Sequence, residues 1–244
     1  MFGSKKQKEI AVDDRLSHIA FIMDGNGRYA KRCGMPREYG HKVGAKNFRT
    51  VAEYCFSIGI RYVTVYAFST ENWSRPEHEV QAIMSLLEEY LDTAAKESEQ
   101  NNIRYIFLGD RSRLGDSLRG RIVALEKLTA EKKHVLSIAL NYGARDELVH
   151  AVNALITEGK REVTEADVSA HLYTAGLPDP DLVVRTGGDF RVSNFLLWQS
   201  AYAEYYFTKT LWPELTKREI NDAVADFYGR QRRFGGLGVT GGKK

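Results

Sequence analysis

The chain has 244 residues, 43% of them hydrophobic and 27% charged, which provides enough apolar material for one large domain with its own core. No apolar run reaches the roughly 20 residues that a membrane helix needs, and none of the six histidines pairs with a histidine or cysteine at the helical spacing typical of a zinc site. Two cysteines are too few for a disulfide framework, and residues 1–16 lack an apolar signal core, so we expect a cytoplasmic protein with a flexible tail at 1–16.

Six apolar runs are predicted to form strands, at residues 18–23, 62–69, 103–108, 135–141, 181–185 and 204–208. Apolar residues recur at helical spacing between or after these runs, at 41–58, 77–98, 144–158 and 216–232. This alternation predicts a single α/β domain around an open, mainly parallel sheet that helices cover on both faces. Because ligands of such sheets bind beyond the carboxyl ends of the strands, the residues that end strands are the candidates for function.

The first strand end, Asp24-Gly25-Asn26-Gly27-Arg28, indicates an anion site. Its glycines would let backbone N–H groups approach an anion, and Arg28, Arg37 and His41 can add charge-assisted hydrogen bonds. Residues 25–49 hold seven lysines and arginines and one acid, a local charge of +6 in a chain of net charge +3. Asp24 would repel phosphate unless a cation such as Mg²⁺ lay between them, or it would simply cap the next helix.

Two further strand ends carry polar side chains. The second combines hydroxyl, carboxylate, amide, indole and guanidinium groups, at Ser69, Thr70, Glu71, Asn72, Trp73 and Arg75. In the third, Arg185 and Arg191 flank a Gly-Gly turn with Ser193 beyond it, and Glu204 at the start of the next strand could reach a shared metal. Two phosphate sites beside an apolar helix favour a reaction between two diphosphates that carry apolar tails.

These motifs resemble those of the cis-prenyltransferases, closest to the bacterial undecaprenyl diphosphate synthase branch of the family, over residues 17–236. The resemblance rests on HIAFIMDGNGR at 18–28, YAFSTENWSRP at 66–76, DLVVRTGG at 181–188, RVSNFLLWQSAYAE at 191–204 and RRFGG at 232–236. It implies a catalytic domain at 17–236 with a six-stranded sheet and an apolar substrate tunnel, a short flexible tail at 237–244, and a homodimer.

The resemblance also implies a reaction. Isopentenyl diphosphate would be condensed repeatedly onto farnesyl diphosphate with Mg²⁺, each step forming a cis double bond. The product would be a long polyprenyl diphosphate, expected to be undecaprenyl, which is released to the membrane as a lipid carrier for cell-wall sugars. Such a protein would be cytoplasmic and can associate with the membrane periphery. Ile83, Leu87 and Leu91 are expected to wall the tunnel, or to pack in the core.

Residue roles follow from position within the matched motifs. Asp24 would be catalytic and bind Mg²⁺ with Glu204, and Asn72 corresponds to a proposed proton acceptor. The substrate-binding residues would be Gly25, Asn26, Gly27, Arg28, Tyr29, Arg37, His41, Ser69, Thr70, Glu71, Trp73, Arg75, Arg185, Arg191, Val192 and Ser193. Two positions depart from the family pattern: Tyr29 replaces a usual tryptophan, and Phe190 stands where some members carry histidine.

Other functions remain open at this point. A cis-prenyltransferase with a shorter or longer product fits the same motifs. A nucleotide-binding or phosphoryl-transfer enzyme would need a Walker-type or kinase-like lysine, which is not found. An RNA-binding protein could use the basic segment, but aromatic residues are not interleaved with its cations. A non-catalytic partner subunit of the same family is disfavoured by the presence of Asp24, Asn72, Arg185 and Glu204.

Overall fold

The structure is a computed structural model that describes residues 12–230. Its centre is a sheet of six strands, all parallel, in the spatial order β3-β4-β2-β1-β5-β6. The strands are β1 His18–Ile22, β2 Tyr62–Ser69, β3 Ile103–Leu108, β4 His134–Tyr142, β5 Leu182–Arg185 and β6 Glu204–Phe207. The prediction of an α/β domain with a mainly parallel six-stranded sheet is confirmed.

Seven α-helices connect and cover these strands within the described residues. They are α1 Asn26–Arg32, α2 Arg37–Ser57, α3 Glu77–Glu97, α4 Asp116–Leu128, α5 Ala144–Thr157, α6 Glu165–His171 and α7 Lys217–Gly229. The four predicted helices correspond to α2, α3, α5 and α7. The other three were not predicted: α1 and α6 have only seven residues, too few for a periodic pattern, and Gly120 weakens the pattern of α4.

Apolar side chains cover both faces of the sheet, which explains why its strands read as continuous apolar runs. Along β1, Ile19 and Phe21 pack into one cluster of buried residues, and Ala20 and Ile22 pack into the other. Cys55 is fully buried in the first cluster. Among the described residues, no helix is both long and apolar enough to cross a bilayer.

The predicted tail at 1–16 is wrong for residues 12–16, which pack against the domain. Leu16 is fully buried in the core, and the Val12 N–H donates to the Ile58 carbonyl at 3.2 Å. The Asp13 N–H donates to the hydroxyl of Tyr228 on α7 at 2.9 Å. The RRFGG motif at 232–236 and the predicted tail at 237–244 lie outside the described residues.

The order of the strands determines where the predicted site residues meet. β1 lies between β2 and β5, and Ile22 pairs with Tyr66 on one side and with Arg185 on the other. The carboxyl ends of three neighbouring strands therefore lie at the same edge of the sheet. The chain leaves β1 toward β2 on one side and reaches β5 on the other, which is the switch point where such sheets bind ligands.

Candidate active site

A polar cavity of about 630 Å³ lies at this edge of the sheet. Most of the predicted site residues line it: Asp24, Gly25, Asn26, Gly27, Arg28, Arg37, His41, Ser69, Glu71, Asn72, Arg75, Arg185, Arg191 and Ser193. The lining also includes residues that the sequence did not single out, namely Ile22, Met23, Tyr66, Ala67 and Asn194. The three strand ends thus form one site.

Asp24 lies between two arginines that come from different strand ends. Its Oδ1 accepts from Arg28 at 3.0 Å, and its Oδ2 accepts from Arg185 at 2.9 Å. Burial alone would raise the pKa of this carboxyl, but hydrogen bonds from Arg185 and Arg28 outweigh burial and hold the pKa below its ordinary value. Asp24 is therefore ionised at neutral pH. It does not cap α1, because the N-cap is Gly25 and no side chain caps that helix.

Arg185 is the buried centre of the cluster that follows β5. Its side chain is 4% exposed, and its Nη1 donates to the Ser193 hydroxyl at 2.7 Å and to the Arg191 carbonyl at 2.5 Å. Arg191 is mostly exposed and pairs with Asp189 at 2.6 Å. The guanidinium fork of Arg185 therefore holds the loop that carries Arg191 and Ser193, while Arg191 itself is accessible from the cavity.

A second cationic cluster forms around Glu79, which sequence reasoning missed. The carboxylate is 2% exposed and lies 3.0 Å from Arg37 Nε, His41 Nε2 and Arg75 Nη1. Burial opposes ionisation of Glu79, but hydrogen bonds from His41 and Arg37 hold its pKa below the ordinary value. One buried carboxylate thus holds together three side chains that were predicted to bind diphosphate. The four-residue spacing from Arg75, just before α3, to Glu79 in the first turn of α3 is the signal that could have revealed it.

The turn after β1 has no room for a side chain at Gly25 or Gly27. Gly25 has a φ of 112°, and a Cβ there would lie 2.9 Å from the backbone of Leu211. A Cβ at Gly27 would lie 2.9 Å from the guanidinium carbon of Arg37. The two glycines therefore allow the turn into α1 and the close approach of Arg37.

The loop after β2 is held by its own hydrogen bonds. The Asn72 Oδ1 accepts from the Ser69 N–H at 3.1 Å, and the Ser69 side chain accepts from the Asn72 backbone in a capping box. Glu71 Oε1 accepts from Asn194 Nδ2 at 3.0 Å. Burial would raise the pKa of Glu71, but hydrogen bonds from its own backbone and from Asn194 keep it below the ordinary value.

Several residues named from the motifs do not line the cavity. Tyr29 stacks on Tyr39 with ring centroids 6.3 Å apart. The Trp73 indole N–H donates to Asn141 Oδ1 at 2.7 Å, so Trp73 anchors the loop to β4. Thr70 and Val192 also lie outside the lining, and Phe190 is exposed with its ring 5.3 Å from that of Phe207.

Glu204 does not lie near Asp24 in this chain, whereas the sequence predicts that the two carboxylates bind Mg²⁺ together. Glu204 opens β6 and pairs with Leu182 at the amino end of β5. Arg185 and the cavity lie at the carboxyl end of that strand, about 10 Å further along. The Glu204 carboxylate instead accepts from Arg230 Nη1 at 2.7 Å. A residue that opens a parallel strand lies at the edge opposite to the site.

An apolar cavity of about 100 Å³ adjoins the polar one. The two share Met23, Asn26, His41 and Ala67, and the apolar cavity continues between α2, α3 and the sheet, where it is lined by Phe48, Ile83, Leu87 and Tyr90. Ile83 and Leu87 were predicted to wall a tunnel, and they do line this cavity. Leu91 does not line it and packs in the core.

The donor groups at the site fit one kind of Mg²⁺ binding. No cluster of three or more His, Cys, Asp and Glu side chains that could hold a metal exists within residues 12–230. Mg²⁺ is commonly held by one or two carboxylates together with substrate phosphate oxygens. Asp24, an ionised carboxylate in a cavity lined with cations, matches this arrangement.

The parallel sheet, with a switch-point cavity lined by arginines and joined to an apolar cavity, defines an α/β protein built to bind phosphorylated compounds with apolar parts. The chain belongs to the undecaprenyl diphosphate synthase family of prenyltransferases, because the family model described as putative undecaprenyl diphosphate synthase matches residues 22–235. The protein is therefore a prenyltransferase enzyme, and the resemblance seen in its motifs is confirmed.

Individual relatives agree with this membership. An isoprenyl transferase from Fusobacterium nucleatum is 49% identical over 221 residues, covering 90% of this chain and 96% of the relative. An isoprenyl transferase from Clostridium perfringens is 42% identical over 249 residues, covering 97% and 98%.

Two solved structures share the fold. The structure of lavandulyl diphosphate synthase from Lavandula x intermedia, in complex with dimethylallyl diphosphate, matches with a TM-score of 0.86 and 33% identity, covering 91% of this chain and 100% of that one. The structure of a probable undecaprenyl diphosphate synthase from Campylobacter jejuni matches with a TM-score of 0.76 and 39% identity, covering 90% and 98%.

Proposed function

We propose that this prenyltransferase condenses isopentenyl diphosphate onto an allylic diphosphate, with farnesyl diphosphate as the first acceptor and a cis double bond formed at each step. The observation that carries the proposal is the pair of cationic clusters that meet beside one carboxylate, Asp24, at the mouth of an apolar cavity. Two clusters suit two diphosphates, and the apolar cavity suits a hydrocarbon chain. A nucleotide-binding or RNA-binding function would leave the apolar cavity without a use.

The allylic diphosphate is assigned to the cluster nearest the apolar cavity. Arg28, Arg37 and Arg75 supply the charge there, His41 adds a hydrogen-bonding ring nitrogen because burial lowers its pKa, and Gly25 to Gly27 and Ser69 leave room for phosphate oxygens. His41 lines both the polar and the apolar cavity, so a diphosphate bound here would direct its chain inward. A related structure is described as containing dimethylallyl diphosphate, which supports an allylic diphosphate as the substrate class.

The isopentenyl diphosphate is assigned to Arg191 and Ser193, on the loop that Arg185 holds in place. Asp24 accepts from Arg185 of this cluster and from Arg28 on the allylic side, so one carboxylate links the two sites. This arrangement supports two diphosphates bound next to each other, with their carbon chains on the side of the apolar cavity. Proximity of the reacting carbon atoms is itself a large contribution to rate.

The chain's own residues can promote the reaction in two ways. Arg28, Arg37 and Arg75 stabilise the negative charge that develops on the departing diphosphate as the allylic C–O bond breaks. The double bond of isopentenyl diphosphate attacks the allylic carbon, and a proton then leaves the new chain for the released diphosphate. Asn72 is a weak base whose amide oxygen is already engaged by Ser69, so its role here is to orient a substrate group near that proton.

Mg²⁺ is the proposed cofactor, held by Asp24 with substrate phosphate oxygens, and when bound it would neutralise phosphate charge. Without such a cation, the ionised Asp24 would repel the diphosphates that the arginines attract. Arg28 and Arg185 now occupy both oxygens of Asp24, and they also keep the carboxylate in position and ionised.

The remaining parts of the proposal concern the product and its setting. The apolar cavity receives the growing chain, and the product is a long polyprenyl diphosphate, expected to be undecaprenyl diphosphate, that serves as a lipid carrier in cell-wall synthesis. The enzyme is proposed to work as a cytoplasmic homodimer that releases this product to the membrane. The description of the matching family model, putative undecaprenyl diphosphate synthase, supports the product, and the other points extend the proposal from the resemblance in the motifs.

The test is to incubate the protein with farnesyl diphosphate, labelled isopentenyl diphosphate and Mg²⁺ and to separate the products by chain length. We expect chain-extended polyprenyl diphosphates, and at least about 100-fold less product from Asp24→Asn, the scale of losing one charge-stabilising group in an active site. Asp92→Asn is the matched control, because Asp92 is an exposed acid paired with Arg121 away from the cavity. Absence of extended product from the wild type would refute the proposal.

A further inference from the structure

Asn194 stands in an unusual stretch of backbone directly after the cationic loop of β5. Ser193, Asn194 and Leu196 all have left-handed φ angles, of 50°, 61° and 45°. Asparagine tolerates this region, but serine and leucine rarely adopt it. Such strain persists only where the surrounding contacts hold it, and it is often found at functional sites.

The contacts of Asn194 reach two other elements. Its backbone carbonyl accepts from the Ala144 N–H at 2.8 Å, and its Oδ1 accepts from the Arg145 N–H at 2.9 Å. Asn194 thus satisfies two backbone donors in the first turn of α5, which has no side-chain cap of its own. The side-chain Nδ2 is then directed at Glu71 and donates to Oε1 at 3.0 Å.

The surroundings leave little room for another arrangement. A Cβ at Gly143 would lie 2.8 Å from Asn194 Nδ2 and 2.7 Å from the Thr70 hydroxyl. Glycine at position 143 therefore allows the loop after β2 and the loop after β5 to meet against the start of α5. Asn194 itself lines the polar cavity together with Glu71 and Ser193.

We propose that Asn194 is a positioning residue that couples the two diphosphate sites. On one side it is joined through Ser193 to Arg185, and on the other it holds Glu71 and with it the loop that carries Ser69 and Arg75. This inference rests on the proposed function and deepens it. It assigns to one side chain the alignment of the loop that binds the isopentenyl diphosphate with the loop that binds the allylic diphosphate.

The test compares Asn194→Ala, Asn194→Asp, Glu71→Gln and the double variant Asn194→Asp/Glu71→Gln. Alanine removes the bridge without adding charge. Aspartate keeps an acceptor for the Arg145 N–H but turns a carboxylate toward Glu71. In the double variant the glutamine amide donates to the aspartate, so the bridge is restored with donor and acceptor exchanged.

We expect Asn194→Ala to raise the KM for each diphosphate about threefold to tenfold, the effect of losing one partly exposed hydrogen bond to a charged group. Asn194→Asp should raise both KM values further. The double variant should match Glu71→Gln within about twofold, a non-additivity that shows direct coupling. Thermal unfolding of each variant identifies any that fails to fold, and Asn194→Asp keeps the α5 cap should alanine fail.

Two results would overturn the inference while the wild type still extends chains. In one, both KM values are unchanged in Asn194→Asp, as expected if Asn194 only caps α5. In the other, the double variant is worse than Glu71→Gln by the same factor that Asn194→Asp shows against the wild type. A wild type that forms no extended product would instead refute the proposed function, so the two failures are distinguishable.

Discussion

Replacing Glu79 by glutamine tests whether the buried carboxylate holds the allylic-side cluster together. The substitution keeps the size and shape of the side chain and removes only its charge. In the wild type the carboxylate oxygens lie 3.0 Å from Arg37, His41 and Arg75. A glutamine oxygen in the place of Oε1 can still accept from His41 and Arg75, but without the negative charge, and the amide nitrogen then faces Arg37 as a second donor.

The expected loss can be worked out from the exposure of the three partners. A hydrogen bond to a charged group contributes about 1.5–3 kcal/mol, whereas an exposed ion pair contributes about 0–1 kcal/mol. The side chain of Arg37 is 59% exposed, so its contact with Glu79 contributes at the low end of these ranges. The side chains of Arg75 and His41 are 30% and 12% exposed, so their contacts contribute more. Since glutamine retains one acceptor, we expect Glu79→Gln to lower the free energy of unfolding by about 2–3 kcal/mol.

The measurement is equilibrium unfolding in denaturant at several pH values. The pKa of Glu79 lies below its ordinary value, so its stabilisation is present above the pKa of the unfolded chain and is lost as the pH falls through the folded value. The difference in the free energy of unfolding between wild type and variant should therefore disappear at acid pH. Glu77→Gln is the matched control, because Glu77 is an exposed acid in the same helical turn that contacts Gln81.

A gap below about 0.5 kcal/mol at neutral pH, equal to that of the control, would refute the reasoning. It would mean that Arg37, His41 and Arg75 keep their positions without the negative charge of Glu79. A gap that stays constant down to the acid limit would also contradict it, because the effect would then not come from the charge of Glu79.

Three further predictions follow from individual contacts. His18 is buried between Thr64 and Pro178, and burial lowers its pKa to about 4. The free energy of unfolding should therefore fall by up to about 3 kcal/mol as the pH drops from 6.5 to 4. In denaturant titrations, His18→Asn should remove that part of the pH dependence. A Cβ at Gly40 would lie 2.0 Å from the Asn26 carbonyl oxygen, so Gly40→Ala should destabilise the fold by about 1–3 kcal/mol. A Cβ at Gly120 on α4 would meet open space, so Gly120→Ala should stabilise the fold by up to about 1 kcal/mol. Melting curves that rank the two variants the other way would contradict the packing argument. Arg185→Lys cannot keep the guanidinium group that contacts Asp24, Ser193 and the Arg191 carbonyl. The kcat/KM for isopentenyl diphosphate should therefore fall about 10- to 100-fold. A change within about twofold in steady-state assays would contradict the assigned role.

Much of the fold and of the site could be predicted because both depend on local patterns. The apolar runs that form β1, β2 and β5 have to be buried on both faces, which a parallel sheet with helices on either side provides. The carboxyl ends of such strands meet at one edge, so the sequence predicts that Asp24, Ser69 and Arg185 lie near one another. The short helices α1 and α6 escaped prediction because seven residues contain too few apolar positions to reveal a period.

The sequence by itself determined the class of fold, the strand ends that carry the chemistry, and the family to which the chain belongs. Only the tertiary structure decided which of those residues touch. Glu79 gathers Arg37, His41 and Arg75 because α2 packs beside the start of α3. Glu204 is removed from the site by the direction of β6, and Asn194 meets Glu71 across 123 residues of chain. The physical reason is that strand and helix patterns are set by near neighbours, whereas these contacts depend on how distant elements pack.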